Sequence, residues 1–295
     1  MKRSTQADIA LLFIVILWGI SFSLTKEALD WVTPILFVIL RFLLAGAIWL
    51  VMYGHLLKKI QPGIILRGIL LGFVLGGGFV LQTAGLELTR ATMSGFLSGM
   101  AVVIVPLFVI VLEKKLPTPT SLVGVVICTL GLWVLASPAG AGLNRGDLLT
   151  IGAAALYALY IVLVEIFTSE YDPRVLTVVQ TAGALLVSVP AMILLETPSV
   201  TFDWPFVWRW LVLGTMVAVT LAIQLYWQRF VSATRAAIIF TLTQPLAAVF
   251  AFLLLGEVLS GPAYAGGAII FLGMLVAEGG ARLIPDGFLR KAKNV

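Results

Sequence analysis

The sequence is poor in the side chains from which most metal and catalytic centres are built. Its 295 residues include one cysteine, Cys128, and one histidine, His55. An intramolecular disulfide is therefore impossible, and a metal site made of Cys and His is excluded by their number. The G-x-x-x-x-G-K motif that cradles nucleotide phosphates does not occur. We therefore predict no resident metal, no cofactor and no catalytic residues.

Charge is scarce as well. Charged residues make up 11% of the chain, against about 25% in a soluble domain. Hydrophobic residues make up 61%, and the mean hydropathy is +1.11. No water-soluble fold buries that much apolar surface, so we predict that a lipid bilayer surrounds the protein. The net charge of +5 then reflects the excess of basic residues in cytoplasmic loops rather than nucleic-acid binding.

Long apolar segments follow one another along almost the whole chain. A helix needs about 20 apolar residues to cross the hydrocarbon core. Short runs that contain proline, glycine or charge separate ten such segments, at 9–24, 34–53, 65–85, 93–112, 122–136, 148–167, 176–195, 207–227, 236–255 and 263–277. We predict an all-α membrane protein with ten transmembrane helices.

The basic residues predict the orientation. Of the 19 Lys and Arg residues, Arg41 lies inside a span, and four lie at one side: Lys26, Arg90, Arg145 and Arg209. All the others fall in segments at the opposite side. The positive-inside rule places that richer side in the cytoplasm, and both termini with it.

The two halves of the sequence share features in the same order. Thr89-Arg90-Ala91 precedes the fourth segment and Thr234-Arg235-Ala236 the ninth, and we align Pro106 with Pro245 and Glu113 with Glu257. Glycines seven apart follow in both halves, at 124 and 131 and at 266 and 273. Because each half has an odd number of helices, we predict two inverted five-helix repeats, residues 1–140 and 141–295, with a site between them near the midplane.

Motifs along nearly the whole chain resemble the EamA-type branch of the drug/metabolite transporter superfamily. They include Trp18-Gly19-Ile20-Ser21-Phe22, Leu40-Arg41-Phe42, the segments 81–86 and 232–239, Gln244-Pro245 and Leu254-Leu255-Gly256-Glu257. The resemblance implies a ten-helix bacterial inner-membrane exporter of small metabolites, often amino acids. The family frequently has glutamate before the ninth-helix proline, where this chain has Gln244.

Polar side chains within the spans are candidates for substrate binding, because they are costly in lipid unless they face a cavity or another helix. Gln82 and Gln224 occupy corresponding positions in the third and eighth segments, and Gln244 lies in the ninth. Amides both donate and accept hydrogen bonds, which suits a zwitterion. The alternative is that they hold helices together.

Aromatic residues form the second set of candidates: Trp18, Phe22, Phe79, Tyr157 and Tyr160. Tyr157 and Tyr160 are three apart, so they share one helix face. Arg41 is the one basic residue within a span and is a candidate to attract a substrate carboxylate. The alternative for Arg41 is a structural ion pair with Glu27 or Asp30.

The spans lack acidic residues near their middle, since Asp8, Glu165 and Glu278 fall near predicted helix ends. A cationic substrate would be poorly compensated there. We therefore expect a monomeric secondary transporter that exports neutral or zwitterionic metabolites, amino acids above all, by alternating access. Export of sugar-like or toxic compounds is the alternative. A channel would show a charge ring or filter loop, and an intramembrane enzyme would need paired catalytic side chains; neither pattern is visible.

Overall fold

The computed structural model describes residues 3–114, 119–136, 143–258 and 261–282. Within these ranges the chain is helical almost throughout, and the residues described form no strand beyond an isolated bridge between Val32 and Val200. A 3-10 helix at Gly54–Lys59 follows α2. The α-helices are α1 (Arg3–Ala28), α2 (Pro34–Tyr53), α3 (Pro62–Leu88), α4 (Ala91–Ser98), α5 (Ala101–Glu113), α6 (Pro119–Ala136), α7 (Arg145–Glu170), α8 (Pro173–Leu195), α9 (Trp204–Gln228), α10 (Ala233–Phe240), α11 (Thr243–Leu255) and α12 (Gly261–Arg282).

Eight stretches of the described chain are long and apolar enough to cross a membrane. They are α1, α2, α3, α7, α8 and α9, together with the pairs α4–α5 and α10–α11. The protein is therefore a multi-pass helical membrane protein. The predicted segments 122–136 and 263–277 coincide with α6 and α12, and their crossing of the bilayer stays a prediction.

Two of the predicted spans are not continuous helices, which corrects the sequence-based expectation for segments 93–112 and 236–255. The first breaks at Gly99 and Met100, between α4 and α5, and the second at Thr241 and Leu242, between α10 and α11. At each break the backbone makes i→i+3 hydrogen bonds of the 3-10 type. Hydropathy does not register these breaks because each span is apolar as a whole.

Three pairs of helices in the two halves begin 142 residues apart. Pro62 and Trp204 begin α3 and α9, and the pairs α4/α10 and α5/α11 have the same separation. Helix α2 begins at Pro34, 139 residues before α8 begins at Pro173. The inverted relation of the halves, and their boundary near residue 140, stay predictions.

This register corrects part of the sequence alignment of the halves. Ala91 and Ala233 both begin their helices, so Pro106 corresponds to Ala248 and not to Pro245. The left-handed residues that end α5 and α11, Lys114 and Gly256, are also 142 apart. Glu257 therefore corresponds to a lysine rather than to Glu113. The glycines at 124, 131, 266 and 273 do keep the common separation.

The helices of one half pack mainly against those of the other half: α3 against α7 and α8, α1 against α9 and α11, and α6 against α12. Close approach depends on glycine in α3, because a Cβ at Gly72 or Gly76 would overlap the backbone of α8. Helix α3 continues unbroken through Gly76–Gly78. These glycines therefore serve the tight packing of α3 against its neighbours.

Candidate functional site

An internal cavity lies in the half of the bundle nearer one end. We call this the Ala28 end: α1 ends there at Ala28, α3 ends at Leu88 and α9 begins at Trp204. The cavity, of about 120 Å³, reaches from the two helix breaks toward this end. Its walls come from α1, α2, α3, α7 and α9 and from the residues around both breaks.

All nine candidate residues from the sequence line this cavity: Trp18, Phe22, Arg41, Phe79, Gln82, Tyr157, Tyr160, Gln224 and Gln244. Helical spacing brings the neighbours on each element to the same face. On α1 the lining residues are 18, 21, 22 and 25, and on α3 they are 75, 79, 82, 83 and 86, which is the i, i+3, i+4, i+7 pattern of one helix face. The structure brings the candidates together, and their contact with substrate stays a prediction.

Gln82 is the centre of a polar chain that joins three helices. The Tyr157 hydroxyl donates to Gln82 Oε1 at 2.9 Å, and Gln82 Nε2 donates to Ser98 Oγ at 3.1 Å. Ser98 in turn donates to the carbonyl of Ser94 one turn earlier, at 2.7 Å. The amide of Gln82 is therefore held in a fixed orientation at the cavity wall.

Gln224, the counterpart of Gln82 at the same 142-residue separation, is held differently. Its Nε2 donates to Gln228 Oε1 at 2.9 Å, and Gln228 Nε2 donates to the Ile161 carbonyl at 2.7 Å. Gln224 Oε1 is buried and has no hydrogen-bond partner among the described residues. It is thus an unsatisfied acceptor beside the cavity.

Gln244 lies at the point where the two helix breaks meet. In the amide orientation that satisfies both neighbours, its oxygen accepts from Gly99 N–H and its nitrogen donates to the Thr241 carbonyl. A Cβ at Gly99 would overlap this amide, so the close approach requires glycine there. Gln244 therefore ties the two breaks together, which is the helix-linking role that the sequence left as the alternative.

An aromatic wall flanks these amides. Trp18 packs on Phe240 with ring centroids 4.9 Å apart, and Phe79 meets Tyr157 edge to face at 6.0 Å. Tyr160 does not bond to this pair. Its hydroxyl donates instead to Gln180 Oε1 at 3.0 Å. The wall offers ring faces and edges to an apolar or aromatic group.

Arg41 reaches the cavity from α2 and is 4% exposed. It donates to Thr83 Oγ1 at 2.9 Å and to Thr25 Oγ1 at 3.4 Å. The ion pair with Glu27 that the sequence allowed is wrong, because Glu27 instead pairs with Arg209 at 2.9 Å. Thr25 was not among the residues predicted from the sequence, although its position seven residues after Trp18 places both on one face of α1.

The opposite end of the bundle, where α1 begins at Arg3, is closed by packed side chains. Ala7, Leu11 and Ile14 of α1 belong to a buried apolar cluster with residues of α5, α7 and α10. Polar contacts join the same helices at the rim: Arg235 pairs with Asp8 at 2.6 Å, and Glu165 accepts from Ala233 N–H at the start of α10. Within the described residues the cavity thus lies on one side of a packed layer.

Comparison with known proteins assigns the family. The model of the EamA-like transporter family matches the chain twice, over residues 5–137 and 144–278. The chain belongs to the EamA-like transporter family. Together with the apolar spans, this makes it a membrane transporter of small molecules, and it identifies the surroundings of its exposed apolar helix faces as lipid.

Relatives of known sequence support the same assignment. Two proteins of Archaeoglobus fulgidus, each described as an uncharacterized transporter, are 25% identical to this chain. The first match spans 94% of this chain and 87% of the relative, and the second spans 91% and 97%. A solved crystal structure, described only as that of a protein, has a TM-score of 0.69 at 21% identity and covers 95% of this chain and 99% of its own. That likeness shows the shared fold.

Proposed function

We propose that this protein is a secondary transporter that exports small neutral or zwitterionic metabolites, amino acids first among them, by alternating access. In this proposal ten helices, in two inverted repeats, cross a bacterial inner membrane with both termini in the cytoplasm, and the protein works as a monomer. The observation that carries the proposal is the cavity itself. It is lined by side chains of both halves, it adjoins two helix breaks, and it is packed shut toward the Arg3 end.

The amides and hydroxyls of the wall support a polar cargo. Gln82, Gln224 and Ser98 lie within a largely apolar lining, so a substrate would exchange water for these fixed partners. The packed layer at the Arg3 end supports a carrier over a channel, because a channel needs a continuous path. The aromatic wall supports a second candidate, the export of larger aromatic or drug-like compounds.

A substrate panel in proteoliposomes tests the proposal, with amino acids tried first. We expect saturable uptake that is accelerated by unlabelled substrate on the opposite side. Gln82→Ala and Gln224→Ala should each reduce the rate, whereas Gln61→Ala, an exposed glutamine before α3, should not. Normal transport by both cavity variants would show that the site lies elsewhere, and flux without saturation would favour a channel.

Cysteine labelling tests the orientation. Replacing the buried Cys128 by serine gives a background without cysteine. Single cysteines at the exposed residues Thr201 and Ser169 then mark the Ala28 end and the Arg3 end. In intact cells a membrane-impermeant maleimide should label Thr201→Cys and spare Ser169→Cys. The reverse pattern would place the termini outside.

A further inference from the structure

The cavity wall contains a buried positive charge without a counter-ion. Arg41 is 4% exposed, and its two hydrogen-bonded nitrogens meet only the neutral hydroxyls of Thr83 and Thr25. Its Nε is buried and has no hydrogen-bond partner in the part of the chain that the structure describes. A guanidinium carries five N–H donors, and a charge taken out of water is stable only when an opposite charge or a full set of hydrogen bonds compensates it. Arg41 is therefore incompletely satisfied by the described residues around it.

The acidic residues around the Ala28 end are engaged elsewhere. Glu27 pairs with Arg209, and the other carboxylates bind backbone or hydroxyl donors: Asp147 with Thr89 and Asn144, Glu196 with Ile35 and Leu36, Asp203 with Phe206, and Glu257 with Ala91 and Thr92. Asp30 and Glu87 are exposed, and their charges interact with that of Lys26. In the described chain, no carboxylate is thus in place to neutralise Arg41.

Aromatic rings hold the guanidinium in place. The Phe37 ring centroid lies 4.7 Å from the Arg41 Cζ atom, and the Phe79 centroid lies 5.2 Å from it. Stacking on rings leaves the N–H groups at the edge of the guanidinium free to bind an anion. Phe79 also meets Tyr157, so the space beside Arg41 adjoins an apolar wall.

The second half of the protein does not repeat this charge. Arg41 lies seven residues after the start of α2, and the residue seven after the start of α8 is Gln180. Gln180 accepts a hydrogen bond from Tyr160 and is neutral. Among the described residues that line the cavity, Arg41 is the one charged side chain. The site is therefore matched to a ligand with a single negative charge.

We propose that the cargo binds Arg41 through a carboxylate, that this carboxylate is required, and that an amino group on the cargo is not. The inference rests on the proposed function, since it names the substrate class of the same cavity. A planar carboxylate accepts two parallel hydrogen bonds from a guanidinium. The ammonium group of an amino acid would find amides and ring faces but no acid, so masking it leaves binding intact.

Three related ligands separate the two groups: L-phenylalanine, N-acetyl-L-phenylalanine and L-phenylalaninamide. Binding is measured on the purified protein in detergent, as the shift of its thermal unfolding midpoint and by displacement of labelled ligand. We expect the first two to bind, the acetylated form at least as tightly, and the amide not to bind. Equal binding of the amide would overturn the proposal. So would an Arg41-dependent shift that chloride alone reproduces in full, because it would indicate a small-anion site.

Variants of Arg41 distinguish a role in substrate binding from a purely structural role. Arg41→Met should weaken carboxylate binding by about ten- to a hundredfold, while the unliganded protein unfolds at the same or a higher temperature because the uncompensated charge is gone. Arg41→Lys should retain part of the affinity. The matched control is Arg209→Gln, which removes a positive charge at the same end but outside the cavity lining, and it should bind normally. A less stable Arg41→Met protein with unchanged binding would make Arg41 structural.

The binding assay also separates this inference from the transport proposal. If carboxylates bind through Arg41 but never cross liposome membranes, the substrate class stands and transport by this cavity does not. If liposomes transport neutral compounds and Arg41→Met leaves their transport unchanged, the transport proposal stands and the carboxylate requirement is overturned.

Discussion

Gly78 supports the ring of Tyr157, and adding one methyl group there tests the geometry of the cavity wall. A Cβ on Gly78 would lie 2.6 Å from Tyr157 Cε1, against 3.4 Å or more for an ordinary contact. The ring must therefore move by about 0.8 Å. Its hydroxyl now donates to Gln82 at 2.9 Å, and a shift of that size stretches the hydrogen bond beyond its useful range.

The energies can be compared directly. Overpacking costs about 1–3 kcal/mol and the weakened hydrogen bond about 0.5–1.5 kcal/mol, while alanine returns up to about 1 kcal/mol of helix propensity. We expect Gly78→Ala to destabilise the protein by about 1–3 kcal/mol. Because the polar chain through Gln82 is disturbed, we also expect the substrate KM to rise by about two- to tenfold.

Gly77 provides a control one residue away on the same helix. A Cβ there would meet only the end of the Leu156 side chain, at 3.1 Å, and that end can rotate aside. Gly77→Ala should therefore be neutral or slightly stabilising and should transport normally. Thermal unfolding in detergent and uptake by proteoliposomes measure both effects. Equal behaviour of the two variants would refute the packing argument, since their helix propensities change by the same amount.

Two further predictions concern the ends of the bundle. Glu257 accepts hydrogen bonds from the N–H groups of Ala91 and its neighbour at the start of α4, so Glu257→Ala should lower stability by about 1–3 kcal/mol, whereas Glu87→Ala, an exposed acid at the same end, should change unfolding little. At the other end, Asp8→Asn and Arg235→Gln should each change ligand affinity by less than about fivefold, because the pair is partly exposed. The double variant should have the same ligand affinity as either single variant. Additive effects in that cycle would show that the two side chains act independently.

The membrane class of the protein and most of its helix positions could be predicted from the sequence. Apolar segments mark helices because the bilayer forces backbone groups to bond within each segment. The prolines mark the starts of α2, α3 and α8 because the first residue of a helix needs no N–H donor. The interruptions at Gly99–Met100 and Thr241–Leu242 were not predicted. Gln244 binds backbone at both breaks, and a link between distant segments leaves no local pattern.

The candidate site was predictable as a set of residues, not as a set of interactions. Gln82 and Gln224 stand out because an amide inside a span needs a partner, whichever role it has. Their different hydrogen bonding could not be predicted from the sequence. The amide of Gln82 is hydrogen-bonded through both its oxygen and its nitrogen, whereas the oxygen of Gln224 has no partner among the described residues. Each state depends on residues more than 15 positions away or on the local turn of α9.

Composition and the order of apolar segments by themselves determined that this chain is a membrane protein, because only such segments are stable in the hydrocarbon core of a bilayer. They also placed one arginine, Arg41, inside a span. Only the tertiary structure decided what that arginine faces. Helix packing took Glu27 to Arg209 and left Arg41 beside two threonines, two phenylalanine rings and an open cavity. The partner of a buried charge depends on which helices meet, and that is set by side-chain packing across the bundle rather than by the sequence around the charge.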